Sequence, residues 1–362
     1  MSTTHADATA AATDVVTDAR APPPSKSDSL FMQIVVHPDG TVTRPFVPTV
    51  PPSSDADEPA AVQSRDVPLD AALGTYLRLY LPPTVRASKK KLPVILYLHG
   101  GGFVLFTPAT VFYHASCEAM AAAVPAIVAS LHYRLAPDHR LPAAYHDAAA
   151  ALLWLRQNSA TDPWISAHAD LESPRCFLMG SSSGANIAFH AALKSSPSAV
   201  VFPVSGVVMH QPYLGGETRT ASEAASEGDA MLPLEASDKL WRLALPDGAD
   251  RDHVYSNPAK SMAAEDLAGF PRCLVSGSVG DPLIDRQRAF AAWLRGSGAV
   301  EVVEKTDGKG FHAAELFVPE VAEELFAAVR DFVYGDGDQA AEMVVVGDDE
   351  PAPVSVGGAA LT

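Results

Sequence analysis

The sequence predicts an α/β fold, a mostly parallel central sheet flanked by helices, and three observations carry that reading. Apolar runs of strand length recur from about Val67 onward, as strands buried on both faces do. Stretches with helical patterning separate most of them, the alternation of strands with crossover helices. One gap, Tyr213 to Gly269, is too long for a simple crossover and reads as an inserted helical cap.

In chain order, residues 1–29 are small and polar, with a proline cluster at Pro22 to Pro24, and are expected to form a disordered tail. MQIVVHPDGTVTRPF alternates around Asp39-Gly40, a hairpin signal, and leads into the Pro-rich VPTVPPSSDADEP, so residues 30–65 read as a lead-in that joins the cap. The strand runs are LRLYLP (Leu77 to Pro82), LPVILYLH (Leu92 to His99), AIVASLHY (Ala126 to Tyr133), RCFLMG (Arg175 to Gly180), GVVMHQP (Gly206 to Pro212), RCLVSGS (Arg272 to Ser278) and VEVVEK (Val300 to Lys305). Helical candidates between them include AAYHDAAAALLWLRQN, GANIAFHAAL, RQRAFAAWLRG and PEVAEELFAAVRDFVYG. The main unit is thus 30–335, with cap elements at 30–65 and 213–269. Residues 336–362, acidic and Gly/Pro-bearing, read as a second disordered tail.

The 362 residues are 48% hydrophobic and 19% charged, which excludes a disordered or fibrous chain. With 26 Lys and Arg against 43 Asp and Glu, the net charge of -17 disfavours nucleic acid and anionic membrane as partners. Cys117, Cys176 and Cys273 are odd in number, widely spaced and set in apolar surroundings, which fits a reducing compartment. The opening residues have neither the basic region nor the apolar run of a secretory signal, their aspartates argue against a transit peptide, and no apolar run is long enough to cross a bilayer. The expectation is a soluble, cytoplasmic protein.

The strand RCFLM runs through Gly180-Ser181-Ser182-Ser183-Gly184 into the helical ANIAFHAAL, a GxSxG between strand and helix. In such a turn the glycines permit a tight, strained backbone that leaves the central hydroxyl exposed at a helix N-terminus, so Ser182 is the candidate nucleophile. After LPVILYL comes His99-Gly100-Gly101-Gly102-Phe103, where bare backbone N–H groups can face a developing oxyanion; Gly101, Gly102 and Ser183 are the expected donors. Neither a GK[ST] nor a GxGxxG after a strand supports phosphate binding.

An acyl-transfer serine needs a histidine base and a carboxylate, in the order Ser, Asp, His along such a chain. Asp281 lies just beyond the RCLVSGS strand, where open α/β sheets build their sites. Asp285 is its competitor, although it falls where a helix should start and would serve equally as an N-cap. His312 is the only histidine downstream of Asp281. His99, His132, His139, His146, His190 and His210 read as structural, lying in or beside buried elements, and no metal-ligand spacing is present, so neither metal nor cofactor is expected.

Seven ordered segments, HGGGF (His99 to Phe103), YRLAPDHRLPAAYHD (Tyr133 to Asp147), GSSSGAN (Gly180 to Asn186), HQPYLGGETRTASE (His210 to Glu223), ALPDGADRDHVYSNP (Ala244 to Pro258), DPLIDRQ (Asp281 to Gln287) and GFHAAELF (Gly310 to Phe317), resemble plant carboxylesterases of the hormone-sensitive-lipase type, in the α/β-hydrolase superfamily. The resemblance spans about Met32 to Tyr334. It implies the α/β-hydrolase fold, a Ser182, Asp281, His312 triad, an oxyanion hole at Gly101, Gly102 and Ser183, and a small-molecule ester as substrate. Gibberellin receptors of the same family have lost the catalytic histidine, and in its 2-hydroxyisoflavanone dehydratases Thr can replace the nucleophile. Ser182 and His312 place this chain on the hydrolytic branch; a non-catalytic hormone receptor and a lyase or acyltransferase are the alternatives. Ser181 departs from the Asp that many relatives carry before the nucleophile.

Overall fold

The computed structural model describes residues 25–55, 60–86, 90–171, 175–194 and 203–335; most of the expected first tail and all of the second lie outside these residues. The hairpin expected at Asp39-Gly40 forms, with β1 (Val35–Val36) antiparallel to β2 (Val42–Thr43) and Gly40 at φ +85° in the turn.

Eight further strands make one sheet: β3 (Gln63–Asp70), β4 (Thr75–Leu81), β5 (Val94–Leu98), β6 (Ile127–His132), β7 (Cys176–Ser181), β8 (Gly206–His210), β9 (Cys273–Ser278) and β10 (Val302–Gly308). Their spatial order is β10-β9-β8-β7-β5-β6-β4-β3. Pairing is parallel from β10 to β6 and antiparallel from β6 through β4 to β3. All seven strand runs read from the sequence are present. Strand β3 is the addition, starting where the Pro-rich lead-in ends: an edge strand keeps one side open, which tolerates Pro68 and exposes alternate residues.

Residues of β5 show why the sheet needs helices on both faces. Val94, Leu96 and Leu98 point into one apolar cluster and Ile95 and Tyr97 into the other, all buried. Full burial of each aliphatic side chain contributes about 1.5–3 kcal/mol. The second face is covered by α1 (Val111–Ala123), through Tyr113, Cys117 and Met120. The first is covered by α2 (Ala143–Gln157) through Ala144, Ala148 and Leu152; α3 (Pro163–His168) adds Ile165, and α4 (Ser183–Lys194) adds Ala185 and Ala188.

The 213–269 gap carries α5 (Ala221–Ala224), α6 (Leu234–Ala244) and α7 (Pro258–Ser261). Helix α6 lays Leu240, Trp241 and Ala244 inward, with Trp241 stacked on Tyr213 at 4.5 Å between ring centroids. Arg140 donates to the carbonyls of Arg242, Leu243 and Leu245 at its C-terminal end (2.7–2.8 Å), which satisfies acceptors that the helix leaves open. Helix α8 (Ile284–Gly296) then packs with α4 on the first face, and α9 (Pro319–Tyr334) with α1 on the second.

Residues 25–34, on either side of the expected tail boundary at 29, form a strap across the insertion. Ser29 Oγ donates to the Met231 carbonyl (2.9 Å), and Lys239 Nζ donates to the carbonyls of Phe31, Met32 and Ile34 (3.2–3.3 Å). The three cysteines are buried, and among the described residues no helix is long and apolar enough to cross a membrane.

Candidate active site

Because β7, β9 and β10 run parallel, the loops that follow them open at one edge of the sheet. Ser182 follows β7 directly, Asp281 lies shortly after β9, and His312 shortly after β10. Packing fixes the turn at Ser182. A Cβ at Gly180 would lie 2.2 Å from the Gly184 backbone, and one at Gly184 only 1.8 Å from the Leu98 carbonyl oxygen, so neither position accepts a larger residue without backbone movement. Ser182 itself sits at φ +56°, the strained left-handed region. Its N–H donates to the His210 carbonyl (2.9 Å), while its own carbonyl accepts from Tyr213 N–H and Ala185 N–H (both 3.0 Å).

His312 joins the other two residues. Its Nε2 lies 2.9 Å from Ser182 Oγ and its Nδ1 lies 2.9 Å from Asp281 Oδ2. All three are buried. Asp281 also accepts from Gln287 Nε2 and from the Leu283 N–H, both at 2.8 Å. Burial alone would raise the Asp281 pKa, but the charge and hydrogen bond of His312, with these two donors, bring it below the ordinary carboxylate value. Burial likewise pulls His312 down, yet the Asp281 charge and hydrogen bond, followed by Glu315 and Asp229, leave it above its ordinary value. An imidazole so held can take the hydroxyl proton at Nε2 while the carboxylate stabilises the cation that results.

Asp285 does not join this group. It lies in the first turn of α8, where its Oδ2 accepts from the Ser222 N–H (2.9 Å) and so ties α8 to the insertion.

The glycine run packs against the serine turn: a Cβ at Gly100 would lie 3.1 Å from Ser182 Cβ. Gly101 and Gly102 have φ +108° and +61°, and among the described residues neither N–H donates to a protein acceptor. Ser183 opens α4, so its N–H is among those a helix leaves open at its N-terminus. His99 keeps the structural role expected of it. Burial drives its pKa down to about 3, its ring stacks on Tyr133 at 4.3 Å, and as a neutral imidazole it donates from Nδ1 to the Gly100 carbonyl (2.8 Å). His139 and His146, expected in or beside buried elements, are exposed.

Three polar residues around His312 escaped sequence reading. Gln211 Nε2 donates to the Phe311 carbonyl (3.0 Å) and Ser278 Oγ (3.1 Å), and its Oε1 accepts from the Ala313 N–H (2.6 Å). Gln287 supports Asp281, and buried Glu315 stands 3.2 Å from His210 Nε2. Gln287 alone left a usable signal, an amide on the apolar face of a helix, which needs a polar partner opposite.

A cavity of about 430 Å³ opens onto Ser182, Gly101 and His312 and is walled mainly by apolar side chains from the strap, α1 and the His312 loop. It is large enough for a small ester.

Comparison with known proteins bears on the fold and the family. Residues 95–315 match the model of a family described as having the alpha/beta hydrolase fold. The Arabidopsis thaliana protein named "Probable carboxylesterase 8" is 41% identical, the alignment covering 86% of this chain and 95% of that protein. A 3-O-acetylpapaveroxine carboxylesterase of Papaver somniferum is 37% identical over 84% of this chain and 98% of its own. Among solved structures, an esterase of Pyrobaculum calidifontis superposes with a TM-score of 0.63 at 26% identity, covering 77% of this chain and 84% of the other.

Proposed function

This chain belongs to the plant carboxylesterases of the α/β-hydrolase superfamily, and from that premise we propose that it hydrolyses small to medium acyl esters through a covalent acyl-serine. Carboxylic ester hydrolysis is the activity; the mechanism and the residues below are the proposal. The observation that carries it is the bridge made by His312 between Ser182 Oγ and Asp281 Oδ2, 2.9 Å on each side.

In this reading His312 Nε2 takes the Ser182 proton as Oγ attacks the ester carbonyl, and Asp281 holds the imidazole by its Nδ1–H. The carbonyl oxygen becomes an oxyanion, received by the N–H groups of Gly101, Gly102 and Ser183. Collapse breaks the bond to the alcohol, which leaves with the proton from His312. Water then enters, gives a proton to His312 and attacks the acyl-serine; the second collapse returns that proton to Ser182 and frees the acid. The alcohol leaves before water enters, so the kinetics are ping-pong, and both half-reactions use the same residues without a cofactor. A small-molecule ester is the partner implied, and the acidic surface favours neither nucleic acid nor an anionic membrane. A reducing, cytoplasmic setting completes the proposal and rests on three separate buried thiols.

The test compares wild type with Ser182→Ala on p-nitrophenyl acetate, butyrate and a long-chain ester, with an organophosphate label mapped to its residue. Short-chain turnover lost in the variant, with label on Ser182, is the expected result. A folded wild type without turnover or label would favour a hormone receptor instead; an alkene or transesterified product would favour a lyase or acyltransferase.

A further inference from the structure

Resting on the esterase reading of this cavity, we propose that the ester it takes carries a protonated or quaternary amine on an apolar body, received by an aromatic wall and two carboxylates. Phe106 is the centre of that wall. Its ring centroid lies 5.1 Å from Phe112, 5.7 Å from Tyr113 and 6.2 Å from Phe31, and all four line the cavity. Aromatic faces are electron-rich, and an ammonium group that sheds water against them is attracted more strongly than an alkyl group of the same shape.

Asp28 and Asp229 join the lining from separate segments, the strap and the insertion. Asp28 adjoins Ser29 and Asp229 shortly precedes Met231, so the Ser29–Met231 hydrogen bond sets the two carboxylates along one seam. Each is held in place. Asp28 Oδ2 accepts from Ser25 N–H (2.7 Å) and Oγ (3.0 Å), and Asp229 Oδ1 accepts from the N–H groups of Met231 and Leu232 (2.9 and 2.7 Å). Among the described residues neither has a Lys, Arg or His nitrogen within 4.0 Å, and neither Lys nor Arg lines the cavity. The lining thus carries two carboxylates and neither Lys nor Arg, together with these four aromatic rings. A cationic ester gains from both features, a neutral one gains only apolar contact, and an anionic one is repelled.

Two matched pairs of esters test this, one for each side of the scissile bond. On the acyl side, 4-nitrophenyl 4-(trimethylammonio)butanoate is set against its carbon isostere, 4-nitrophenyl 5,5-dimethylhexanoate. On the alcohol side, 3-(trimethylammonio)phenyl acetate is set against 3-tert-butylphenyl acetate, each corrected for its rate with hydroxide. The full chain is expected to favour the cation in at least one pair by about tenfold in kcat/KM, less at high salt. In the Asp28→Asn, Asp229→Asn double variant that ratio should fall toward one. Asn keeps one side-chain oxygen to receive the local donors at each position, and a ratio is insensitive to a general loss of folded enzyme. No preference for the cation in either pair, or a preference that the double variant retains in full, would overturn the proposal. Failure to turn over any of the four esters would instead remove the esterase reading beneath it.

Discussion

Gln211 grips both peptide groups that flank His312. Its Nε2 donates to the Phe311 carbonyl at 3.0 Å and its Oε1 accepts from the Ala313 N–H at 2.6 Å. Gln211 stands at the end of β8, between the serine strand β7 and the aspartate strand β9, and its own N–H donates to the Ser276 carbonyl (2.7 Å). One amide therefore ties the His312 loop to the middle of the sheet.

Gln211→Ala should leave His312 free to shift against Ser182, and a displacement near 1 Å costs roughly a hundredfold in rate. We expect kcat on p-nitrophenyl butyrate to fall about 10- to 100-fold with KM within about threefold of wild type. Gln211→Glu keeps an acceptor for the Ala313 N–H and should fall between the two. An alanine variant with wild-type kcat would show that the loop holds itself.

The pH profile follows from the direction of the His312 shift. Only neutral His312 can accept the serine proton, and Asp281, Glu315 and Asp229 together hold its pKa above the ordinary value near 6.5 despite burial. Raised in this way, the ring stays protonated to higher pH. The kcat/KM for a neutral ester should therefore decline through an acid limb lying above about pH 6.5. Asp281→Asn removes the strongest raising influence and leaves burial, so the limb should move to lower pH while kcat drops by about 10³–10⁴. Asp285→Ala touches only the contact with Ser222 and should stay within about threefold of wild type. Equal losses at Asp281 and Asp285 would count against this assignment.

How much of this the sequence disclosed depends on how local each signal is. The strands β5 to β9 were legible because parallel strands buried on both faces read as unbroken apolar runs, as Val94 to Leu98 does. Strand β3 was not, because an edge strand that carries Pro68 and exposes alternate residues forms no such run. Ser182, Asp281 and His312 could be picked out because each follows a strand that ends at the same edge of the sheet, so chain order alone brings them near one another. Gln211 and Glu315 act through partners distant in sequence, and nothing in their neighbours' identities marks them. The cavity wall was least legible of all: Phe31, Asp28 and Asp229 meet only through the seating of the strap on the insertion, a packing relationship without periodicity.

Gly184 offers a stability test of the serine turn. A methyl group there would stand 1.8 Å from the Leu98 carbonyl oxygen and 2.7 Å from that of His99, and both are backbone atoms that no rotamer change can clear. Gly184→Ala should cost about 3 kcal/mol or more, at the upper end of overpacking effects. For a unit of about 300 residues that lowers Tm by about 5 °C in a thermal scan. Gly296 has open space around it, so Gly296→Ala in helix α8 should be neutral or slightly stabilising.

Lys239 is the latch of the strap. Its ammonium donates to three backbone carbonyls, those of Phe31, Met32 and Ile34, and these acceptors have no comparable donor beside them in the strap itself. Lys239→Met keeps the length and apolar stem of the side chain but removes every donor, so the strap must turn those carbonyls toward water. Because Asp28 to Phe31 form one side of the cavity, loosening the strap should weaken substrate binding more than it disturbs Ser182 and His312, which stand on the sheet edge. We expect KM to rise about 3- to 10-fold with kcat within about twofold. Hydrogen exchange should quicken at residues 29–34 while the strands β5 and β7 keep their protection. Unchanged exchange in the strap, whatever the kinetics, would mean that Ser29 and the apolar contacts of Phe31 hold it without the lysine.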